Sequence, residues 1–429
     1  MDALTESMRN SRLSDRPAEP EHLLFSPQSD SALAENALDD IPRYLFRVVT
    51  PHSDGEANET WMRSEAAYRH TDSSLEDIFS LLDAEKRTTI ARSLNLHFRW
   101  WPKGKIEDNF VSWTSSHLFA IRYVYYRHLS NKDGSSLDNI HLYVVDTTRF
   151  AKGTFICDSY LIDAFYKFDD HEPQKNLENL RDLRERYNFG EYLSQGSLKI
   201  EDKHQMISAR SLFDNGRLLR LQPHFIEPDS TAPKIKNPGL VFEVARLRGK
   251  IWPVTNIQKL PSAEMLDRLQ VVGEIIENLA PGWRFPLAIY FASLISSESA
   301  TEDQVTANDN VFLAYFRSKA FDEERKGFNP LDFKVIVREG MPELNRVKTI
   351  AREIYKDFQL RKALDLIRVA ERKILLLQSN DISQEHGSAL SVADSNEVLV
   401  RAGETVLSKL RMIEKMCEEV ALAISPSRV

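Results

Sequence analysis

The stretch Ile41-Pro-Arg-Tyr-Leu-Phe-Arg-Val-Val-Thr50 is the first in the chain whose side chains dictate a backbone state. β-branched and aromatic residues dominate it, as in a strand. Arg47 interrupts the apolar run. Burying a guanidinium alone is costly, so this residue needs an anionic partner. An internal carboxylate would satisfy it. A phosphate or diphosphate would do so too, matching the planar fork of the side chain.

Upstream, residues 1–40 are rich in Ser, Asp, Glu, Pro and Ala without hydrophobic period, which predicts a disordered arm. Downstream, Ser73 and Glu76 match a capping box opening a helix that carries Leu75, Ile78, Phe79 and Leu82. A second helix follows from Ala84 to about Leu96. Phe110–Thr114 reads as a short strand, with Ser115 or Ser116 capping a helix that carries Leu118, Ile121 and Tyr125. Ile140–Asp146 reads as a buried strand, Ser159–Phe165 as a short helix and Pro173–Arg186 as a charged one. Strands are expected at Glu191–Leu193, Gln205–Ala209 and Leu218–Leu221. Strands and helices interleaved in this way predict an α+β domain over residues 41–225. Pro, Gly and polar residues mark 226–240 as a linker. Residues 241–429 read as mainly helical, with a helix over Ser262–Leu279. Leu344, Val347, Ile350, Ile354, Phe358, Leu364, Ile367 and Ile374 share one helical face. Val398, Val406, Leu410, Ile413, Cys417, Val420 and Ile424 share another, which predicts a long closing hairpin. The same apolar stripes suit pairing in cis or in a homodimer.

The 429 residues hold 56 Lys+Arg against 64 Asp+Glu, a net charge of −8 that makes nucleic acid an improbable partner. With 42% hydrophobic and 28% charged residues, the composition is that of a globular protein. Two cysteines, Cys157 and Cys417, are too few for a disulfide framework and suggest a reducing compartment, cytoplasmic or nuclear. The apolar stretch Phe285–Ile295 is too short to span a bilayer, so no membrane association is expected.

Familiar chemical signatures fail. There is no G-x-G-x-x-G, no phosphate-binding loop of the Walker type, no G-x-S-x-G elbow, and no His/Cys cluster for a metal. Trp100-Trp101-Pro-Lys-Gly-Lys105 mixes aromatics with cations but reads as a packed surface loop. Two further segments stand beside Arg47. In Phe110-Val-Ser-Trp-Thr-Ser-Ser116, Ser112 and Thr114 fall on one strand face, which suits a ligand's sugar, a neighbouring carboxylate or merely an N-cap. In Asn188-Phe-Gly-Glu-Tyr-Leu-Ser-Gln-Gly196, Glu191 opens a strand, either as an ordinary exposed charge or as a catalytic carboxylate.

An arginine on the first strand, a Ser-x-Ser/Thr strand end and a Glu-Tyr-Leu-x-x-Gly opening, in that order, resemble the R-S-E class of ADP-ribosyltransferases, the cholera-toxin and pierisin-like branch. The spacing agrees, with Ser112 lying 65 residues after Arg47 and 79 before Glu191. The Tyr-Leu-Phe-Arg and Ser-Trp-Thr-Ser-Ser segments also resemble a filamentous-fungal protein family. The resemblance implies a split β-sandwich with NAD as substrate in its cleft, followed by a mostly α-helical domain. It makes Arg47 the phosphate grip, Ser112 the residue that anchors the nicotinamide ribose or orients Glu191, Thr114 a stiffener of the strand, and Glu191 the catalytic carboxylate. One position departs. Where arginine modifiers carry Glu and the DNA modifiers Gln, two residues before the catalytic glutamate, this chain has Phe189, and an apolar ring neither orients nor deprotonates a guanidinium. Two function classes follow. One is NAD-dependent ADP-ribosyl transfer or NAD glycohydrolysis, with a protein acceptor or water. The other is an inactive member acting as an interaction module through its helices.

Overall fold

A computed structural model describes residues 21–28, 31–102, 108–225, 239–253, 260–295, 307–318, 321, 329, 332–384, 404, 407–415 and 418. Nine strands form one curled, wholly antiparallel sheet: β1 (His22–Leu23), β2 (Tyr44–Val49), β3 (Glu56–Ala57), β4 (Trp61–Arg63), β5 (Phe110–Thr114), β6 (His141–Asp146), β7 (Ile156–Cys157), β8 (Glu191–Lys199) and β9 (His204–Ser208). The order is β3-β4-β8-β5-β2-β6-β9, with β1 and β7 also pairing on β8. β8 is the spine, buried from Glu191 to Leu198. Its alternation builds two cores. Tyr192 joins Val111 and Trp113 in one. Leu193 and Phe110 join helical residues in the other.

That second core is supplied by α1 (Ala84–Phe98), capped by Asp83, with α2 (His117–Leu129) following further along the chain. Ser116 accepts a hydrogen bond from the Phe119 amide, so the expected cap is present on α2. Then come α3 (Asp158–Phe165) and α4 (Leu177–Arg186), capped by Asn176. Ile90, Leu94 and Phe98 of α1 meet Leu161 and Phe165 of α3 and Leu177 and Leu180 of α4. The helix α5 (Leu240–Ile251) packs on α2. Beyond it lie α6 (Ser262–Ile276), α7 (Arg284–Ser293), α8 (Ala307–Phe316) and α9 (Pro342–Gln384). α7 is buried all round, and its Tyr290 meets Phe46 of β2 edge to face at 5.1 Å.

The mixed α/β class is as expected, but several elements differ. Residues 21–40 are not a free arm: β1 pairs with β8, and Phe25 and Ala37 are core residues. Residues 1–20 lie outside the described residues. The capping-box helix is only a 3-10 turn, Asp72–Leu75, without a side-chain cap. Its polar groups bond sideways instead, Asn109 donating to the Ser73 carbonyl and the Ile78 amide to Gln195 Oε1. Arg217–Leu221 is a helical turn rather than a strand, entered through Gly216 at φ +63°. The expected boundary at 226–240 also moves. One compact unit comprises Met1–Lys259, Gln270–Glu298 and Lys334–Asn345; the other comprises Leu260–Leu269, Ser299–Phe333 and Arg346–Val429. The linker proper, 226–238, lies outside the described residues. α5 and α7 belong with the sheet because their apolar faces find partners there.

In the second unit, Arg317 pairs with Asp357 at 2.7 Å and Phe312, Phe316 and Phe321 pack together. Val347, Ile350 and Ile354 are buried, whereas Leu364 and Ile367 are exposed. The turn of the expected hairpin lies outside the described residues, and residues 407–415 are helical. Among the described residues no helix is long and apolar enough to cross a membrane.

In the first unit, Lys334–Asn345 is held by a buried ion pair. Arg248 donates from Nη2 to Glu343 Oε1 at 2.6 Å and from Nε to Oε2 at 3.1 Å. The Ser116 hydroxyl donates to the same Oε1 at 2.6 Å. Breaking a buried pair strands its partner, so Glu343→Ala should lower stability by about 3–5 kcal/mol. In urea unfolding, Asp138→Ala, which removes the exposed partner of Arg210, should leave the midpoint nearly unchanged; equal effects would refute the assignment.

Candidate active site

β2 and β5 pair at one position only, Phe46 with Thr114. Beyond it the two strands part. The Ser112 carbonyl, which a continued ladder would engage, instead accepts a hydrogen bond from Arg47 Nη1 at 2.8 Å. β5 and β8 stay zipped, with Ser112 opposite Leu193 and Thr114 opposite Glu191. Ser112 and Glu191 are therefore diagonal neighbours on one face. The Ser112 hydroxyl lies 2.7 Å from Glu191 Oε1. A cavity of about 740 Å³ opens here, and Arg47, Ser112, Thr114 and Glu191 all line it.

Backbone geometry sets the carboxylate's position. Gly190 stands at φ +59°, and a Cβ there would meet Ser115 Oγ at 2.1 Å, so only glycine makes this turn. The Thr114 hydroxyl donates to the Phe189 carbonyl at 2.5 Å and accepts from the Ser116 amide at 3.0 Å. With its proton spent on the Phe189 carbonyl, Thr114 braces the turn before Glu191, the stiffening role expected of it, while also lining the cavity. The Trp113 and Tyr192 rings are core-buried.

Four further residues, invisible as motifs, complete the cluster. His97 ends α1, its Nε2 2.7 Å from Ser112 Oγ and its Nδ1 2.7 Å from Asp108 Oδ2. Arg184, in the last turn of α4, pairs with Glu191 Oε2 and lies 3.0 Å from Asp158 Oδ2. Proton counting constrains the line Asp108–His97–Ser112–Glu191. Asp108 as an anion takes the Nδ1 proton. The Ser112 hydroxyl has one proton, for Glu191 or for Nε2. If Glu191 receives it, His97 is an imidazolium donating to Ser112; if His97 receives it, Glu191 is protonated and donates to Ser112. One proton is thus shared between Glu191 and His97 through the serine. Burial pushes the Glu191 carboxyl above its ordinary range, and Arg184 opposes that rise.

Arg47 is the contrasting group. It is half-buried, desolvation lowers its pKa, and its shielded Nε has no hydrogen-bond partner. Among the described residues no carboxylate stands within ion-pair distance of it, so the internal salt bridge is not what satisfies this guanidinium. Facing it is an aromatic wall on α2. Tyr123 stacks on Phe119 and Tyr126 at 12° and 14°, Phe119 stacks on Phe189 at 4.8 Å, and the half-exposed Trp100 leans over Tyr123 at 5.5 Å. The spacing of four and then three residues in Phe119, Tyr123 and Tyr126 is the signal from which this wall was readable.

A family model described as Domain of unknown function (DUF7587) matches residues 40–201, a span that holds Arg47, Ser112, Thr114 and Glu191. No curated protein and no solved structure matches the chain.

A carboxyl whose pKa is raised on folding binds protons more tightly folded than unfolded. Its stabilising contribution is complete below the unfolded value and is lost as pH rises through the folded one. Glu191→Gln cannot titrate. In urea unfolding, the stability of wild type relative to this variant should therefore fall as pH rises above about 4.3, the ordinary Glu value. A difference independent of pH would refute the raised carboxyl.

Proposed function

We propose that the sheet domain is a split β-sandwich of the ADP-ribosyltransferase kind and that its site cleaves NAD, transferring ADP-ribose to an acceptor side chain or to water. The observation that carries this reading is the placement of Arg47, Ser112 and Glu191 on three adjacent strands around one cavity, with Arg47 half-buried and, among the described residues, unmatched by a carboxylate. Such a cation suits the diphosphate of a dinucleotide. The aromatic wall offers faces for planar rings.

Cleavage of the nicotinamide–ribose bond passes through an oxocarbenium-like state. Glu191, fixed by Ser112, accepts a hydrogen bond from the ribose 2′-hydroxyl and sets a negative charge beside the developing positive one. His97 and Asp108 hold Ser112 in register, so the carboxylate needs no reorientation as charge develops.

A second reading, an inactive interaction module, draws on the pairing of Arg184 with Glu191, which keeps the carboxylate engaged. Release of free nicotinamide from NAD separates the two. Wild type should release it, and Glu191→Gln should be slower by about 10²–10³-fold, the usual cost of one preorganised electrostatic contact. Arg47→Lys, losing the planar fork, should weaken NAD binding in calorimetry. Bound NAD without release favours the module; release unaffected by Glu191→Gln eliminates the site.

A further inference from the structure

Arg184 is held as few surface arginines are. Its side chain is 11% exposed, its guanidinium bridges Glu191 and Asp158, and the rings of Phe189 and Phe98 lie at 5.2 and 5.8 Å from it. A counter-ion role explains the pairing with Glu191. It does not explain why a second carboxylate, Asp158 at the start of α3, is buried against the same guanidinium at the cost of its own desolvation. Two carboxylates around one guanidinium orient it, which is what a nucleophilic side chain beside a reacting carbon requires.

We propose that Arg184 is the chain's own acceptor of ADP-ribose, a self-modification site; this rests on the NAD reading above. The ribose C1′–nicotinamide bond breaks with its electron pair leaving on nicotinamide. Arg184 Nη2 forms the new bond to C1′. The proton it gives up passes to Glu191 Oε2, its present hydrogen-bond partner, and from there to solvent. The products are nicotinamide, an ADP-ribosylated Arg184 and a proton. Phe189 supplies no carboxylate to orient the guanidinium, and Asp158 does so from another element. Because Arg184 lines the cavity, its adduct fills the site it came from, and each chain reacts once.

Full-length protein incubated with NAD should release nicotinamide stoichiometrically with protein and then stop, with peptide mass spectrometry locating one ADP-ribose on Arg184. Arg184→Lys should carry no adduct at position 184, and its release of nicotinamide, at whatever rate, should not stop at one equivalent of protein. Sustained release by wild type with Arg184 unmodified, or an adduct at other residues only, overturns self-modification while leaving NAD cleavage standing. Absence of any release overturns both.

Discussion

Glu191 carries a carboxylate to a place that is nearly closed to water, where an ion costs several kcal/mol unless neighbours replace its hydration. The replacements come from separate parts of the chain: a hydroxyl from β5, a guanidinium from α4, and behind the hydroxyl an imidazole from α1 backed by Asp108. None of them can shift without leaving a buried polar group unpaired. The packing of α1, α3 and α4 into one apolar core is therefore also what assembles the charged cluster. Arg47 stands outside this compensation. Around one cavity, then, the fold holds one charge that neighbouring groups balance and one that, among the described residues, meets no carboxylate.

The parting of β2 from β5 makes the second charge useful. Had the ladder continued past Phe46 and Thr114, backbone bonds would have consumed the Ser112 carbonyl and closed the space that the cavity occupies. The strands instead diverge, and Arg47 bridges the gap with one donor while its Nε stays unspent. On the other side β2 is held along its length by β6, six residues in register, so the opening costs the sheet little. The aromatic wall of α2 faces the gap on a rigid helix. Ser116 caps that helix and also donates to Glu343, which ties the wall to the buried pair with Arg248.

What the sequence shows of this arrangement is the strands. β-branched and aromatic runs located β2, β5, β6 and the start of β8, and with them Arg47, Ser112 and Glu191; period-two alternation then put Ser112 and Thr114 on one face. Patterning failed where side-chain bonding across the sheet overrides local preference. The Ser73–Glu76 signature is a sound capping box, yet Asn109 and Gln195 draw its backbone into a turn. The polar composition around them hid Phe25 and Ala37, which are buried in the core shared with α1, α3 and α4. His97 and Arg184 were unreadable for a different reason. Each meets the site through the packing angle of its helix, and no spacing in the chain encodes that angle.

Those two helices also bring an electrostatic problem that their own residues solve. α1 and α4 reach Glu191 by their last turns, the ends at which unsatisfied carbonyls concentrate partial negative charge. A bare carboxylate placed between two such ends would be repelled by both. His97 and Arg184 occupy those last turns, where a cation is favoured by the helix and by the carboxylate together. Arg184 therefore answers two anionic demands at once. Burial raises the Glu191 carboxyl and Arg184 opposes that rise, so the side chains at the two helix ends stand in for the water that burial removes.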